Sequence, residues 1–466
     1  MTSRSLTRMV LRSISALVLV TLLSSALARG VEAQSGPIAR YQAVADRIID
    51  AALTDSFAYE RLAFLVDEFG HRLSGSESLE RALDWILDEM RRDGLENVRG
   101  EPVMVPRWVR GDESAELLEP RFRRLPMLSL GGSVATPQDG ITGEVMVVSS
   151  YDDLRARAAE AQGKIVLFNV PFTTYGRTVQ YRGGGASAAA QVGAVAAMLR
   201  SVTPYSLQTP HTGAMNYVEG VPRIPFAAIT VEDAVMIQRM VDRGDRVVVR
   251  LRLSAQTLPD APSRNAIAEL VGSEKPNEVV VLGCHIDSWD VGQGAMDDGG
   301  GCVVGWEAVR LLKRLGLRPR RTVRVVLYAN EENGLRGGTA YRDAHRSELD
   351  RHVLAIESDG GVFQPTGFGF SGSDQAFETV AAIGSLLDRI DAGTVTRGGG
   401  GADIGPITRE GIPAMSLNVD GTRYFWYHHS DADTIDKLDP HEIGLCVAAM
   451  AVMAYMVADL PAALPR

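Results

Sequence analysis

From residue 259 onwards the chain alternates between short, continuously apolar runs and helical patterns. Apolar runs at 278–283, 322–329 and 353–357 are separated by helical patterns such as 301–315. A strand that is apolar on both faces has to be covered on both faces, which is typical of parallel strands connected by helices. We therefore predict an α/β domain with a mostly parallel central sheet flanked by helices.

The chain is too long for a single hydrophobic core, so its 466 residues predict a second domain or a large insertion. Between 112 and 258 the pattern changes to short strands and glycine-rich loops without clustered metal-ligand residue types. We predict that residues 112–258 form an insert, and that 34–111 and 259–466 together form the main domain. Within the insert, the glycines at 183–185 lack the lysine and hydroxyl residue of a phosphate-binding loop and predict a flexible turn.

The N-terminus carries the features of an export signal. Three arginines precede an apolar run at residues 14–27, and small residues follow up to Ala33. We predict a cleaved signal peptide over residues 1–33 and an exported protein, secreted or periplasmic. The alternative, an uncleaved membrane anchor, is disfavoured because the apolar run is shorter than the roughly 20 residues that span a bilayer.

Charge and cysteine content exclude two further classes of protein. The formal net charge is −10, and the signal segment is itself positive, so the rest of the chain is more acidic still. An acidic chain without a basic run argues against nucleic-acid binding. Three cysteines are too few for a disulfide framework, and we interpret them as small core residues.

Four groups of metal-ligand residue types each follow an apolar or aromatic run. They are His285 with Asp287 and Asp297, Glu331 with Glu332, Glu357 with Asp359, and His428 with His429 and Asp433. Ligands bind beyond the carboxyl ends of parallel strands, so we expect these side chains to meet at one edge of the sheet. Two histidines and three carboxylates suit zinc, with cobalt or manganese as substitutes. A carboxylate shared by two ions gives a pair about 3.5–4 Å apart, as in hydrolytic two-metal sites.

Each group taken alone has a simpler explanation. A single histidine at a strand end is more often structural, an Asp-Asp-Gly sequence is commonly only a turn, and paired glutamates commonly form a solvated rim. Taken together, five ligand-type side chains at one edge would repel one another without cations to neutralise them. The set therefore predicts a metal site.

The most specific pattern is the run 285–301, which reads HIDSWDVGQGAMDDGGG, and three shorter motifs accompany it. These are Glu331-Glu332, Glu357-Ser358-Asp359, and His429-Ser430 ahead of Asp433-Thr434. Together they resemble the co-catalytic dizinc exopeptidases, the aminopeptidase and glutamate carboxypeptidase group, over nearly the whole chain after the signal segment. The resemblance implies a zinc exopeptidase-like fold, a protease-associated domain at 112–258, and a homodimer.

The resemblance also implies two zinc ions per chain and five ligands: His285, Asp297, Glu332, Asp359 and His429. Asp297 would bridge the ions, with His285 and Asp359 completing one site and Glu332 and His429 the other. Glu331 would be the general base, and Asp287 would orient the imidazole of His285. The peptide bond between Asp297 and Asp298 would be cis.

The group that stabilises the tetrahedral oxyanion is left open. Many relatives have a tyrosine at or near the position of His428, so His428, Tyr424 and Tyr427 are all candidates. The His-Ser-x-x-Asp-Thr spacing favours His429 over His428 as the metal ligand. The glycine-rich loop before Asp403 is either flexible or substrate-facing, and the second interpretation makes Asp403 a further candidate. The remaining histidines, His71, His211, His345, His352 and His441, have no partner cluster and are interpreted as structural or exposed.

We predict an exported dizinc exopeptidase that removes a terminal residue from short peptides, first as a carboxypeptidase or dipeptidase. Glu331 would take a proton from the attacking water and return it to the leaving amine. An aminopeptidase with the same site is the first alternative. A catalytically silent binding ectodomain is the second, and the presence of all five ligands and Glu331 argues against it.

Overall fold

The computed structural model describes residues 38–466, so the predicted signal peptide lies outside the described residues. The described chain is an α/β structure with two eight-stranded mixed sheets. Its strands are β1 (Glu96–Val109), β2 (Glu113–Glu119), β3 (Arg123–Leu125), β4 (Met127–Ser129), β5 (Ile141–Val148), β6 (Ile165–Phe168), β7 (Ala196–Arg200), β8 (Phe226–Ile229), β9 (Val248–Leu253), β10 (Gln256–Leu270), β11 (Lys275–His285), β12 (Arg321–Tyr328), β13 (His352–Glu357), β14 (Pro365–Ser371), β15 (Thr394–Arg397) and β16 (Ala414–Val419). Its α-helices are α1 (Gln42–Leu53), α2 (Phe57–Phe69), α3 (Glu77–Arg92), α4 (Tyr151–Ala156), α5 (Tyr175–Gln191), α6 (Val231–Asp242), α7 (Gly300–Arg314), α8 (Arg336–Ala344), α9 (Asp374–Gly384), α10 (Gly405–Thr408), α11 (Tyr424–Tyr427) and α12 (Pro440–Asp459).

The first sheet has the strand order β1-β10-β12-β11-β13-β16-β14-β15. Its four central strands, β12, β11, β13 and β16, pair in parallel, as do β14 and β15. The pairings of β1 with β10, β10 with β12, and β16 with β14 are antiparallel, so the sheet as a whole is mixed. Every residue of β12 is buried, as expected for a strand covered on both faces. The parallel centre brings the carboxyl ends of four adjacent strands to one edge.

Helices cover both faces of this centre. α7 and α12 pack on β11 and β12 from one side, and an apolar cluster that includes Tyr341 of α8 and Ile407 of α10 covers the other. α12 is long and apolar enough to span a membrane, but almost all of it is buried inside the protein. It is therefore a core helix of this domain.

The second sheet has the order β3-β2-β9-β5-β6-β7-β8-β4, and all its strands lie between residues 113 and 253. The prediction of a flexible turn at residues 183–185 is wrong, because these glycines lie inside α5. A Cβ on Gly185 would lie 2.8 Å from the ring of Phe226 and 3.1 Å from that of Phe168. Glycine is needed there because the helix packs closely on the sheet.

His352 opens β13 as a buried histidine whose two ring nitrogens face a backbone carbonyl and a tyrosine hydroxyl. Its Nδ1 lies 3.0 Å from the carbonyl oxygen of Glu348, and its Nε2 lies 2.9 Å from the hydroxyl of Tyr341. Burial lowers the pKa of His352 to about 4. Because unfolding restores an ordinary pKa, the unfolded chain takes up a proton at this residue before the folded chain does.

This difference predicts an acid-dependent loss of stability. Well above pH 6.5 the imidazole of His352 is neutral in both the folded and the unfolded state. As the pH falls from 6.5 to about 4, proton uptake stabilises the unfolded state and lowers the free energy of unfolding by up to about 3 kcal/mol. Replacing His352 by Gln is expected to remove this part of the pH dependence. Urea denaturation of both proteins at pH 7.5 and 4.5 measures it, with His441→Gln as the matched control at an exposed position. An equal stability difference at both pH values would contradict the assignment.

Candidate metal centre

The carboxyl ends of the parallel strands carry the predicted ligands. β11 ends at His285, and Glu332 lies in the turn that follows β12. Asp359 comes two residues after the end of β13, and His429 comes after β16 by way of α11. The aromatic run before His429, Tyr424–Tyr427, is a helical turn and not a strand. The structure brings all five predicted ligands together.

Asp297 lies between two histidine–carboxylate pairs. Its Oδ1 is 3.2 Å from Nε2 of His285, and the same nitrogen is 3.4 Å from Oδ1 of Asp359. Its Oδ2 is 3.3 Å from Nε2 of His429, and that nitrogen is 3.1 Å from Oε2 of Glu332. The two oxygens of one carboxylate thus face two separate groups of donors, which is the arrangement of a bridging ligand.

The donor set fits divalent metal ions. Burial, with neighbouring carboxylates adding to it, raises the pKa of Glu331 to about 8 and that of Glu332 to about 7. Oδ2 of Asp297 is buried and has no hydrogen-bond partner among residues 38–466. A cluster of buried carboxylates is costly unless cations neutralise it, and imidazole nitrogens with carboxylate oxygens are donors that zinc prefers.

Two carboxylates that received no role from the sequence hold the backbone around Asp297. Asp298 accepts hydrogen bonds from the N–H groups of His285 (3.2 Å) and Gly301 (3.1 Å). Asp433 accepts from three successive N–H groups, at residues 295–297, over 2.7–3.2 Å. The Asp297–Asp298 peptide bond is cis, as the resemblance implies.

A buried arginine holds the loop between His285 and Asp297. Arg72 donates to the carbonyl oxygens of Ile286, Gln293 and Gly294 over 2.8–2.9 Å, and to that of Gly70 at 2.8 Å. Its side chain is completely buried. Sequence reasoning missed this residue because it lies in a different part of the chain from the loop that it holds, and no local pattern marks it.

Asp287 lies beside His285, but the contact differs from the one predicted. Nδ1 of His285 lies 2.9 Å from the backbone carbonyl oxygen of Asp287 and 3.9 Å from its carboxylate. The carboxylate instead accepts from the N–H groups of Glu331 (3.0 Å) and Glu332 (3.4 Å) and from the hydroxyl of Ser74 (3.1 Å). Asp287 therefore orients the imidazole through its main chain and fixes the Glu331–Glu332 turn through its side chain.

A cavity of about 310 Å³ opens onto this cluster. It is lined by Tyr175, Arg182, His285, Asp297, Glu331, Glu332, Asp359, Tyr424, Phe425, His428 and His429. Two of these residues, Tyr175 and Arg182, come from the 112–258 segment. Two of the four predicted oxyanion or substrate candidates, His428 and Tyr424, also lie on the cavity wall.

The structure does not bring the other two candidates, Tyr427 and Asp403, to the cavity wall. Asp403 is buried, with both carboxylate oxygens lacking a hydrogen-bond partner among the described residues. Glycines 399–401 line a separate groove of about 670 Å³ instead. The N–H of Gly398 donates to the carbonyl oxygen of Phe370 and that of Gly399 to the hydroxyl of Ser371, so these contacts hold the glycine run beside β14.

The adjacent imidazoles of His428 and His429 stack with ring centroids 3.5 Å apart. Nε2 of His428 is 3.6 Å from Oδ2 of Asp297, which is farther than the 3.3 Å of His429. Burial and the neighbouring His429 hold the pKa of His428 well below its usual range. His428 is thus placed as a neutral N–H group on the cavity wall, and His429 is placed as a ligand to the cluster.

Comparisons with known proteins agree with this geometry. The model of peptidase family M28 matches residues 265–454. Carboxypeptidase Q of Mus musculus is 48% identical over 432 residues, 92% of each chain. The crystal structure of a peptidase M28 precursor from Shewanella amazonensis superposes with a TM-score of 0.89 at 36% identity, covering 92% of this chain and 99% of that one. A zinc aminopeptidase from Bacillus subtilis shares the fold, with a TM-score of 0.65 at 21% identity over 86% of this chain and 94% of its own. The chain therefore belongs to peptidase family M28, as a metallopeptidase that hydrolyses peptide bonds.

Proposed function

We propose that this chain is an exported dizinc exopeptidase that hydrolyses the terminal peptide bond of short peptides, as a carboxypeptidase or dipeptidase. The observation that carries the proposal is the carboxylate of Asp297, with one oxygen facing each of two histidine–carboxylate pairs. Residues 34–111 and 259–466 are assigned to the catalytic domain and 112–258 to a protease-associated domain. The confinement of the second sheet to 113–253 supports that division. The homodimer stays a prediction.

In this proposal His285, Asp297 and Asp359 would hold one zinc ion, and Asp297, Glu332 and His429 would hold the other. Bound zinc supplies Lewis-acid activation of a water molecule and of the scissile carbonyl. Glu331 lines the cavity beside the cluster, where its carboxylate takes a proton from the attacking water and passes it to the leaving amine.

The growing negative charge on the carbonyl oxygen needs a hydrogen-bond donor on the cavity wall. His428 and Tyr424 are both placed there, with ring centroids 5.1 Å apart. Burial next to the carboxylates raises the pKa of Tyr424, so its hydroxyl keeps its proton at neutral pH. Either side chain therefore offers a neutral donor to the oxyanion.

Arg182 supports recognition of a C-terminal carboxylate. It is a buried cation on the cavity wall, where it donates to the hydroxyl of Tyr175 at 2.8 Å and to the carbonyl oxygen of Thr212 at 3.3 Å. One of its guanidinium nitrogens also lies 3.2 Å from Nδ1 of His429. Its Nε has no hydrogen-bond partner among the described residues, and no carboxylate of residues 38–466 forms an ion pair with it. A substrate carboxylate would supply the missing charge and accept from the guanidinium. The similarity to proteins named carboxypeptidase Q, at about 48% identity, also supports recognition of the C-terminus.

A panel of dipeptides with free, N-acetylated or C-amidated ends tests the proposal. We expect C-terminal amidation to reduce kcat/KM far more than N-acetylation does. The opposite order would identify an aminopeptidase. Protein that hydrolyses none of the panel and binds no zinc would instead be the silent ectodomain.

Replacing Arg182 by Met is expected to raise KM for peptides with a free C-terminus by about 10–100-fold, the usual effect of losing a hydrogen bond to a charged group. For C-amidated peptides KM should change little, since these peptides carry no terminal carboxylate. Steady-state kinetics on both substrate classes measure this. Arg177→Met, at an exposed position of the same helix, is the matched control. An equal loss on both substrate classes would show that Arg182 acts on the fold of the cavity and not on the carboxylate.

A further inference from the structure

The loop that carries His429, residues 424–430, is held on its backbone by the 112–258 insert. Nδ1 of His211 lies 2.6 Å from the carbonyl oxygen of His428. The N–H of Thr212 donates to the carbonyl oxygen of His429 at 2.9 Å. Two neighbouring residues of the insert thus bind two successive carbonyls of the loop.

The insert also contacts the imidazole of His429 itself. Its Nδ1 lies 3.3 Å from the carbonyl oxygen of Thr212 and 3.2 Å from a guanidinium nitrogen of Arg182. Nε2 faces Asp297 and Glu332, so for Nε2 to bind a metal ion the proton must reside on Nδ1. Of the two neighbours of Nδ1, only the Thr212 carbonyl can accept this proton, because a guanidinium has no acceptor atom. Such outer contacts orient a ligand imidazole and strengthen its binding.

His429 needs this support because its backbone is strained. Its φ is 61°, in the left-handed region that residues other than glycine rarely adopt. Such a conformation costs about 1–3 kcal/mol and persists only when its surroundings enforce it. Without the hydrogen bonds from the insert, the loop is free to relax to a negative φ, which turns the imidazole away from the cluster.

Two further contacts secure the start of the same loop. The hydroxyl of Thr203 lies 2.6 Å from the carbonyl oxygen of Phe425 and 2.6 Å from that of Tyr205, so its one hydrogen is shared between them. The ring of Tyr175 stacks on that of Phe425 with centroids 4.8 Å apart. The hydrogen bond from His211 stands out among these contacts because it depends on a side chain whose other ring nitrogen has no partner among the described residues.

We infer that His211 is a positioning residue of the metal centre, and that the insert sets the affinity for the ion held by Asp297, Glu332 and His429. The inference rests on the dizinc site proposed above and gives the insert a role beyond access to the cavity. The ion held by His285, Asp297 and Asp359 should depend much less on the insert, because the imidazole of His285 is oriented within its own loop.

Zinc titration of metal-free protein against a chromogenic chelator tests this without an activity assay. Wild-type protein should bind two ions. His211→Leu should bind one ion as before and the second about 10–100-fold more weakly, the usual effect of losing an outer contact to a ligand. His211→Asn should restore most of the affinity, since the asparagine N–H₂ group can take the place of Nδ1. Tyr217→Phe, which removes two hydrogen bonds within the insert, should bind like the wild type.

Unchanged affinity for both ions in His211→Leu would overturn the inference and leave the proposed function standing. Wild-type protein that binds no zinc would overturn both. If circular dichroism shows that His211→Leu is unfolded, Thr203→Val replaces it, because the valine keeps the shape of Thr203 and loses only its hydrogen bonds. Full retention of both ions by that variant would equally overturn the inference.

Discussion

Replacing Glu331 by Gln is expected to lower kcat by at least about 10²–10⁴-fold while two zinc ions stay bound, the range that proton transfer by a side chain contributes. The reason is that Glu331 lines the cavity beside the cluster, whereas its neighbour Glu332 contacts His429 at 3.1 Å. The glutamine keeps the size of the side chain and loses the ability to accept a proton. Measurement of kcat and of zinc content on the same preparation checks both parts of this expectation.

The matched control is Glu332→Gln, which changes the adjacent carboxylate in the same way. It should lose an ion, because Glu332 is one of the donors on the His429 side of Asp297. If Glu331→Gln lost an ion and Glu332→Gln kept both, the roles of the two glutamates would be exchanged. The two variants together therefore decide which carboxylate is the base.

Four of the five candidate ligands, all except Asp297, could be placed from the sequence because each lies at or just after the end of a secondary-structure element. The alternation of apolar runs and helices predicts an α/β fold, and the structure confirms that class. Parallel pairing of the central strands then places His285, Glu332 and Asp359 at one edge without further information. The resemblance to the aminopeptidase and glutamate carboxypeptidase group, which the motifs carry, is likewise confirmed, since the chain belongs to peptidase family M28.

Features that depend on distant parts of the chain could not be predicted in this way. The glycines at 183–185 have the composition of a turn, and only the packing of Phe226 against Gly185 explains why they are helical. In the sequence His211 is an isolated histidine, since its partner, the carbonyl oxygen of His428, lies 217 residues further along the chain. For Asp287, the sequence identifies the residue that contacts the imidazole of His285 but not the contacting atom. The backbone carbonyl and the carboxylate belong to the same residue, and only the structure shows that the carbonyl oxygen is the nearer one.

Arg72 is the clearest of these long-range cases, and its replacement should have the largest effect on stability. Its guanidinium donates to four carbonyl oxygens, three of them in the loop between His285 and Asp297. Asp433, Asp287 and Asp298 also surround it as nearby carboxylates. Arg72→Met would remove the guanidinium donor from these carbonyls and a cation from beside these carboxylates. Removing one partner of a buried charge network typically costs about 3–5 kcal/mol.

Urea denaturation of metal-free Arg72→Met and wild-type protein measures this loss, since bound zinc would itself stabilise the folded state. The matched control is Arg81→Met. Arg81 pairs with Glu68 at 3.3 Å, with more than half of each side chain exposed, and pairs of this kind contribute about 0–1 kcal/mol. A change in the free energy of unfolding of less than about 1 kcal/mol in both variants would mean that Asp298 and Asp433 hold the 286–294 loop without Arg72. A selective loss in Arg72→Met would instead identify this arginine as the residue on which the conformation of the loop between His285 and Asp297 depends.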